Sequence, residues 1–329
     1  MKSTTAFACL SWTTFIFRTG AYLTPPCSKI PFQPGCTNNL SLVTPTLPAC
    51  PFPFEEWVIA ARAAPGNSTR PDGVIPPWFN RPLALRGQQV ASEYRFPWYV
   101  ATIFGALTEL NMPDIRDPIM FNKKHTNGPD NAKRDMATLM QGLVWAKDYF
   151  YDMPIEGNSS YIDSIRNVAA IHANVEMRAR ARQASDGCIV SRNEYAYPIL
   201  FPKEMAINAC DADFWAINHF FAAIGYGLGI DEKYNIFLQP DLKSARIYYR
   251  KIHEQVIIPS LFNFDKQTKL MMDNILKGLS TLTSGILSPP FMMHRFLHNF
   301  LNQPAPRLQA LMSPRELAFD RALDFAYKP

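Results

Sequence analysis

The chain has 329 residues, 47% of them hydrophobic and 13% aromatic, enough for one large core or two small ones. Its net charge of +5 is modest and its basic residues are dispersed, which excludes a nucleic-acid protein recognised by charge. Six cysteines at 9, 27, 36, 50, 188 and 210 form no C-x-x-C pair and no zinc spacing, so thiolate metal sites are excluded too. Cys27, Cys36 and Cys50 can pair if their region is extracytoplasmic, and free thiols are equally allowed.

Ala6 to Phe17 is a mostly apolar run, too short to span a bilayer, with the length of a signal-peptide core. It favours the secretory pathway or an endomembrane over the cytoplasm. From Leu23 to Pro82 the chain is rich in Pro, Thr, Ser and Asn, so residues 1–77 are expected to form a long irregular arm, with the ordered domain at 78–329. Leu83 to Leu110 is helix-permissive, and Pro97 forces a kink or a start. Met112 to Pro118 and Lys123 to Asn131 read as loops. Asp130 or Asn131 can cap a helix running to about Phe150, with Met136, Leu139, Met140, Leu143 and Phe150 on its buried side. Arg134, Thr138, Gln141 and Trp145 share the opposite face, as either a solvated surface or one that something covers.

Tyr161 to Gln183 carries the most informative pattern. At about 100° per residue, Ile162, Ile165, Val168, Ala169, His172, Val175 and Ala179 fall on one half of a helix. An apolar stripe seldom spends a position on imidazole. His172 is therefore either a core histidine with both nitrogens satisfied or an axial ligand, since neutral imidazole is the usual proximal ligand of haem iron. Arg178, Arg180 and Arg182 splay around the end of this helix, where cations complement the dipole; a haem propionate or an anionic headgroup is their alternative partner.

Pro202 is expected to open the next helix, which ends at Gly225 to Gly229 and is interrupted near Asp211. His219 within it reads as a core or interface histidine. Asp241 caps a helix that runs through His253, placed at the surface by its charged neighbours Lys251 and Glu254, to Pro259. Lys266 to Leu282 is a further amphipathic helix. After Pro289-Pro290, Phe291 to Leu301 holds His294 and His298 four apart, a zinc-compatible spacing without the glutamate of a metallohydrolase. That helix reads better as amphipathic, lying on a membrane interface. With few strand signals, the briefest at Cys188-Ile-Val, the expected fold is all-α.

Several short segments, in order, resemble the catalytic domain of the bacterial rubber oxygenase (latex-clearing protein) and the ER-bound oxygenase of mycophenolic acid biosynthesis. Val168-Ala-Ala-Ile-His-Ala-Asn-Val resembles the family's V-R-x-x-H-A-x-V, whose histidine binds haem iron. Arg134-Asp-Met-Ala-Thr138 resembles R-x-x-K-T on the distal side, and Pro202-Lys-Glu-Met-Ala-Ile-Asn resembles Q-x-D-M-A-x-T. Phe221 to Ile236 resembles the segment ending in G-Y-x-L-G-I-x-x-x-x-N, and Trp78-Phe79 with Arg86-Gly-Gln resembles the start of the domain in animal members. The likeness covers roughly 78–264. It implies a globin-like helical haem-b domain, an oxidoreductase that acts with dioxygen on an apolar isoprenoid or lipid-like substrate, and peripheral membrane association. His172 would be the iron ligand, with Arg134, Thr138 and Asn208 as polarising catalytic residues. Ala169, Ala137 and Asn208 depart from the family's arginine, lysine and threonine. They give weight to an alternative: a degenerate member that binds a hydrophobic ligand or partner without catalysis.

Overall fold

The computed structural model describes residues 53–64, 68, 76–121, 130, 160–180, 196–282 and 287–326. Among them every regular element is helical, which establishes the all-α class. The main helices are α1 (Phe54–Ala63), α2 (Arg81–Glu93), α3 (Arg95–Glu109), α4 (Pro113–Phe121), α5 (Ser160–Arg180), α6 (Tyr197–Leu200) and α7 (Asp211–Gly227). They continue with α8 (Leu242–Ile252), α9 (Ile258–Ser260), α10 (Lys266–Leu282), α11 (Pro289–Leu301), α12 (Pro306–Gln309) and α13 (Pro314–Ala326).

The centre of the fold is α7. Every residue from Asp213 to Tyr226 is buried, so this helix presents no face to water. A helix that is apolar all round belongs inside a core. Its closest neighbour is α2, and Gly87 explains why the two can meet: a Cβ at that position would lie 2.1 Å from the Ala216 carbonyl oxygen. Only the missing side chain lets the backbones approach so closely. The same crossing carries a buried ion pair, Arg86 to Asp213 at 2.7 Å, which joins two residues 127 apart in the chain.

Local chemistry sets most helix ends. Asn80 caps α2 by accepting the Leu83 N–H at 3.1 Å. The expected 83–110 helix breaks at Tyr94, and Pro97 lies in the first turn of α3, where its missing N–H costs nothing. Asp241 caps α8 by accepting the Ser244 N–H at 2.6 Å, which holds its carboxyl below the usual range. Ser288 caps α11 ahead of Pro289 and Pro290, which occupy its first positions.

Three expectations are corrected. A stretch of the expected irregular arm is helical: α1 follows Pro53, and its apolar residues at 54, 57, 58 and 61 make one face. Phe54 and Trp57 are buried and meet Tyr248 of α8 edge-on at 5.3 Å. The prolines on either side of α1 disguise it. The expected loop at 112–118 is α4, because Pro113 sits at its first position and Arg116 closes the turn by bonding the Met112 carbonyl at 2.9 Å. Pro202 does not open a long helix; residues 202–206 make a turn in which Ala206 has φ 53°, and α7 starts at Asp211. Asp211 and Asp213 then complement its positive N-terminal dipole.

Candidate functional site

The helix expected around His172 is present as α5. Ile165 is buried and abuts Gly227 at the C-terminal end of α7, with its Cγ2 3.1 Å from where a glycine Cβ would lie. Val168 and Ala169 are half-buried. Along the predicted row cover falls from buried Ile165 to half-buried Val168 and Ala169, while Ile171, on another face of the helix, is 41% exposed. His172 holds its place on this row by backbone position, while its side chain lies outside the described residues, as do Arg134 and Thr138 in full. Cys27, Cys36 and Cys50 are likewise outside them.

Asn208 is exposed in the segment before α7, and its backbone carbonyl accepts the Tyr94 hydroxyl at 2.7 Å. The anchor points of Asn208 and α5 are thus at opposite ends of α7, a helix of 17 residues and so roughly 25 Å long. The structure does not bring Asn208 to the place where Ile165 docks.

Of the three buried histidines among the described residues, His219 and His253 are enclosed by aromatic rings of other elements. His219 of α7 is 1% exposed; its Nε2 accepts the Asn80 N–H at 3.0 Å, and its Nδ1 has no partner. Phe79 stacks on the ring at 5.9 Å and Trp78 meets it edge-on at 5.6 Å. Trp78 is fixed in turn by its indole N–H, which donates to Glu232 at 3.0 Å. Burial pushes the imidazole down to about 4, so it is neutral near pH 7. This agrees with the expected core role.

His253, expected at the surface, is 5% exposed. It begins a π-helical turn, His253–Ile257, through which α8 passes into α9. Tyr197 and Phe201 meet its ring edge-on at 5.8 and 5.1 Å, and neither nitrogen has a partner. Burial, aided by nearby Arg250, lowers its pKa to about 4. The signal that could have found it is the i, i+3, i+4 set Tyr249, Ile252, His253, all buried; the flanking charges misdirect.

The helix expected to lie on a membrane, α11, is inside the fold. Phe296 and Phe300 pack on Phe104 and Tyr197, and the opposite side is held by ions. Arg295 donates to Asp320 at 3.1 Å and to Asp324 at 2.5 Å, both on α13. His294 Nε2 lies 3.3 Å from Asp320, and His298 stacks on the His294 ring. His294 therefore serves the α11–α13 contact, and exposed His298 only covers its ring. Among the described residues no three His, Cys, Asp or Glu side chains converge as metal ligands, a grouping that haem held by one histidine does not need. No described helix is long and apolar enough to cross a membrane.

The sequence also gave no hint of the polar network inside the core. Asn218, fully buried, donates to the Phe237 carbonyl at 2.8 Å and accepts the Tyr249 hydroxyl. Asn235 donates to the Ala222 carbonyl at 2.8 Å, and its side chain occupies the space that Gly225 leaves open. These bonds tie the segment after α7 back onto α7 itself.

Fold and geometry define an all-α protein built on a fully buried central helix. No family model, curated protein or solved structure matches the chain.

Proposed function

We propose that the chain is a haem-b protein of oxygenase type, with His172 as the axial iron ligand and an apolar isoprenoid or lipid-like molecule oxidised by dioxygen. The observation that carries this reading is the placement of His172 on α5, on the row that starts at buried Ile165 and passes half-buried Val168 and Ala169. Val168, Ala169 and Ala173 give that part of α5 a half-covered apolar flank of small side chains. Such a flank fits a flat, apolar ring system. When bound, the haem would supply the oxygen activation. His172 would hold the iron through its imidazole, the usual proximal ligand of haem, and tune its electronics. Arg134 and Thr138 are assigned to the distal side by the resemblance, to donate hydrogen bonds and hold the substrate side polar. The globin-like arrangement belongs to this same proposal.

A second reading, a non-catalytic family member that binds a hydrophobic ligand, is favoured by Asn208. Its exposure and the bond from Tyr94 to its carbonyl give it a place in the loop before α7 rather than beside α5.

The test is the visible spectrum of protein produced with haem supplementation. The expected result is a Soret band that is lost in His172→Ala while the circular dichroism of the helices is kept. A colourless wild-type protein would sink the haem reading. Given bound haem, oxygen consumption with a polyprenyl substrate separates the two readings: consumption that falls in Arg134→Ala supports the oxygenase, and none supports the binder.

A further inference from the structure

Most apolar side chains that reach the surface of a folded protein are scattered singly and mean nothing. One group here is not scattered. Phe262 is 87% exposed, Phe264 51% and Leu270 56%, all within nine residues at the turn that leads into α10. Leaving such large side chains in water forgoes the hydrophobic free energy of burying them.

The turn that displays them is built on a fixed base. Asp265 caps α10, accepting the Thr268 N–H at 2.8 Å, a bond that holds its carboxyl below the usual range. Buried Arg116 of α4 donates to Asp265 at 2.7 Å and to the Thr268 hydroxyl at 3.0 Å. That hydroxyl donates to the Leu110 carbonyl at the end of α3 at 3.1 Å. Three helices therefore meet at the residues that directly follow the phenylalanines, which fixes the C-terminal end of the turn.

The adjoining outer face of α10 is basic. Lys266, Lys269, Leu270, Asp273 and Lys277 follow i, i+3, i+4, i+7 and i+11 spacing, which puts them on one side of the helix. Lys269 is paired with Asp273, which leaves Lys266 and Lys277 as the surplus positive charge. Over 11 residues this row is roughly 16 Å long. Two outward phenylalanines beside a leucine and a basic stripe have the chemistry of an interfacial anchor: rings enter the boundary of acyl chains and headgroups while ammonium groups stay with phosphates.

We propose that the Leu261–Asp265 turn and the outer face of α10 dock on an anionic lipid bilayer, with Phe262 and Phe264 inserted and Lys266 and Lys277 on the headgroups. This moves membrane contact away from α11, where the sequence placed it, and it does not depend on haem.

The test is co-sedimentation of the full chain with phosphatidylcholine vesicles containing about one third phosphatidylserine, an anionic fraction of the kind that attracts basic surfaces. Binding is expected, stronger than to phosphatidylcholine alone and weakened by salt. The double variant Phe262→Ser/Phe264→Ser, which alters exposed positions only, should keep its helical circular dichroism and lose roughly tenfold or more in affinity. Lys266→Glu/Lys277→Glu should remove the preference for phosphatidylserine. Failure of the wild type to sediment with the anionic vesicles overturns the proposal. So does binding that the phenylalanine variant leaves intact, which would assign contact to another part of the chain. Lipid-free self-association that the same variant abolishes would make the patch a protein interface and overturn it as well.

Discussion

Two helices, α5 and α7, carry the histidines of most interest, and they are bound into the molecule in opposite ways. In α7 fourteen consecutive residues are buried, and the Nε2 of His219 and the side-chain amide of Asn218 are matched to specific partners across the core. In α5, among the side chains described, Ile165 alone is buried, and Val168, Ala169 and Ala173 are half-covered. The stripe on α5 is the clearer periodic signal in the sequence, yet α7 organises the fold. Periodicity reports a helix with two unlike faces, and a central helix has only one kind. The difference also suits the role proposed for α5: a scaffold helix has to be covered, whereas a helix that holds a ligand needs an open flank.

Acid should divide the two regions most strongly. His219 and His253 have folded-state pKa values of about 4 against 6.5 for the unfolded chain. The unfolded state therefore binds more protons between those values. Their contribution is complete above about pH 6.5 and is lost as pH falls toward 4, on the order of 3 kcal/mol for each histidine. Urea denaturation from pH 7 to pH 4 should show that slope, and His253→Phe should flatten part of it. An unchanged midpoint across the range would mean that neither ring is buried neutral.

Truncation gives the next largest contrast. Ile217→Ala in α7, at a position with no exposure, should cost about 4 kcal/mol in denaturant midpoints, and Ile165→Ala in α5 about 2, because a half-solvated neighbourhood can relax. Equal losses would erase the distinction between the helices. Gly87→Ala should destabilise by about 3 kcal/mol, since the new methyl meets backbone rather than a movable side chain. Calorimetry showing a normal melting temperature for that variant would mean the α2–α7 crossing is looser than described. Smallest of all, Ile171→Ser, at an exposed position of α5, should stay within about 0.5 kcal/mol of the wild type.

Much of the helical outline could be read from the chain. Asp241, Ser288 with its two prolines, and the Lys266 to Leu282 pattern act through neighbours three or four residues away, so the information is local. Proline misled in both directions. Pro113 starts a helix where two prolines had suggested a loop, and Pro202 makes a turn where it had suggested a start. Nothing nearby in sequence distinguishes those cases; the outcome depends on whether Met112 and the following turn are packed, and Met112 is buried. Of the candidate site, the helix bearing His172 was legible, and the placement of Asn208 at the opposite end of α7 from the point where Ile165 docks was not.

By itself the sequence determined an all-α chain, the caps and lengths of its strongest helices, and the row on which His172 stands, because hydrogen bonds and apolar periodicity within one helix are short-range properties. Only the tertiary structure decided that α7 is central, that α1 belongs to the core, and that His253 and α11 are inside rather than at the surface. Those outcomes rest on partners far apart in the chain, such as Arg86 with Asp213 and Arg116 with Asp265. A residue's burial is set by what packs over it, and that is a property of the assembled helices.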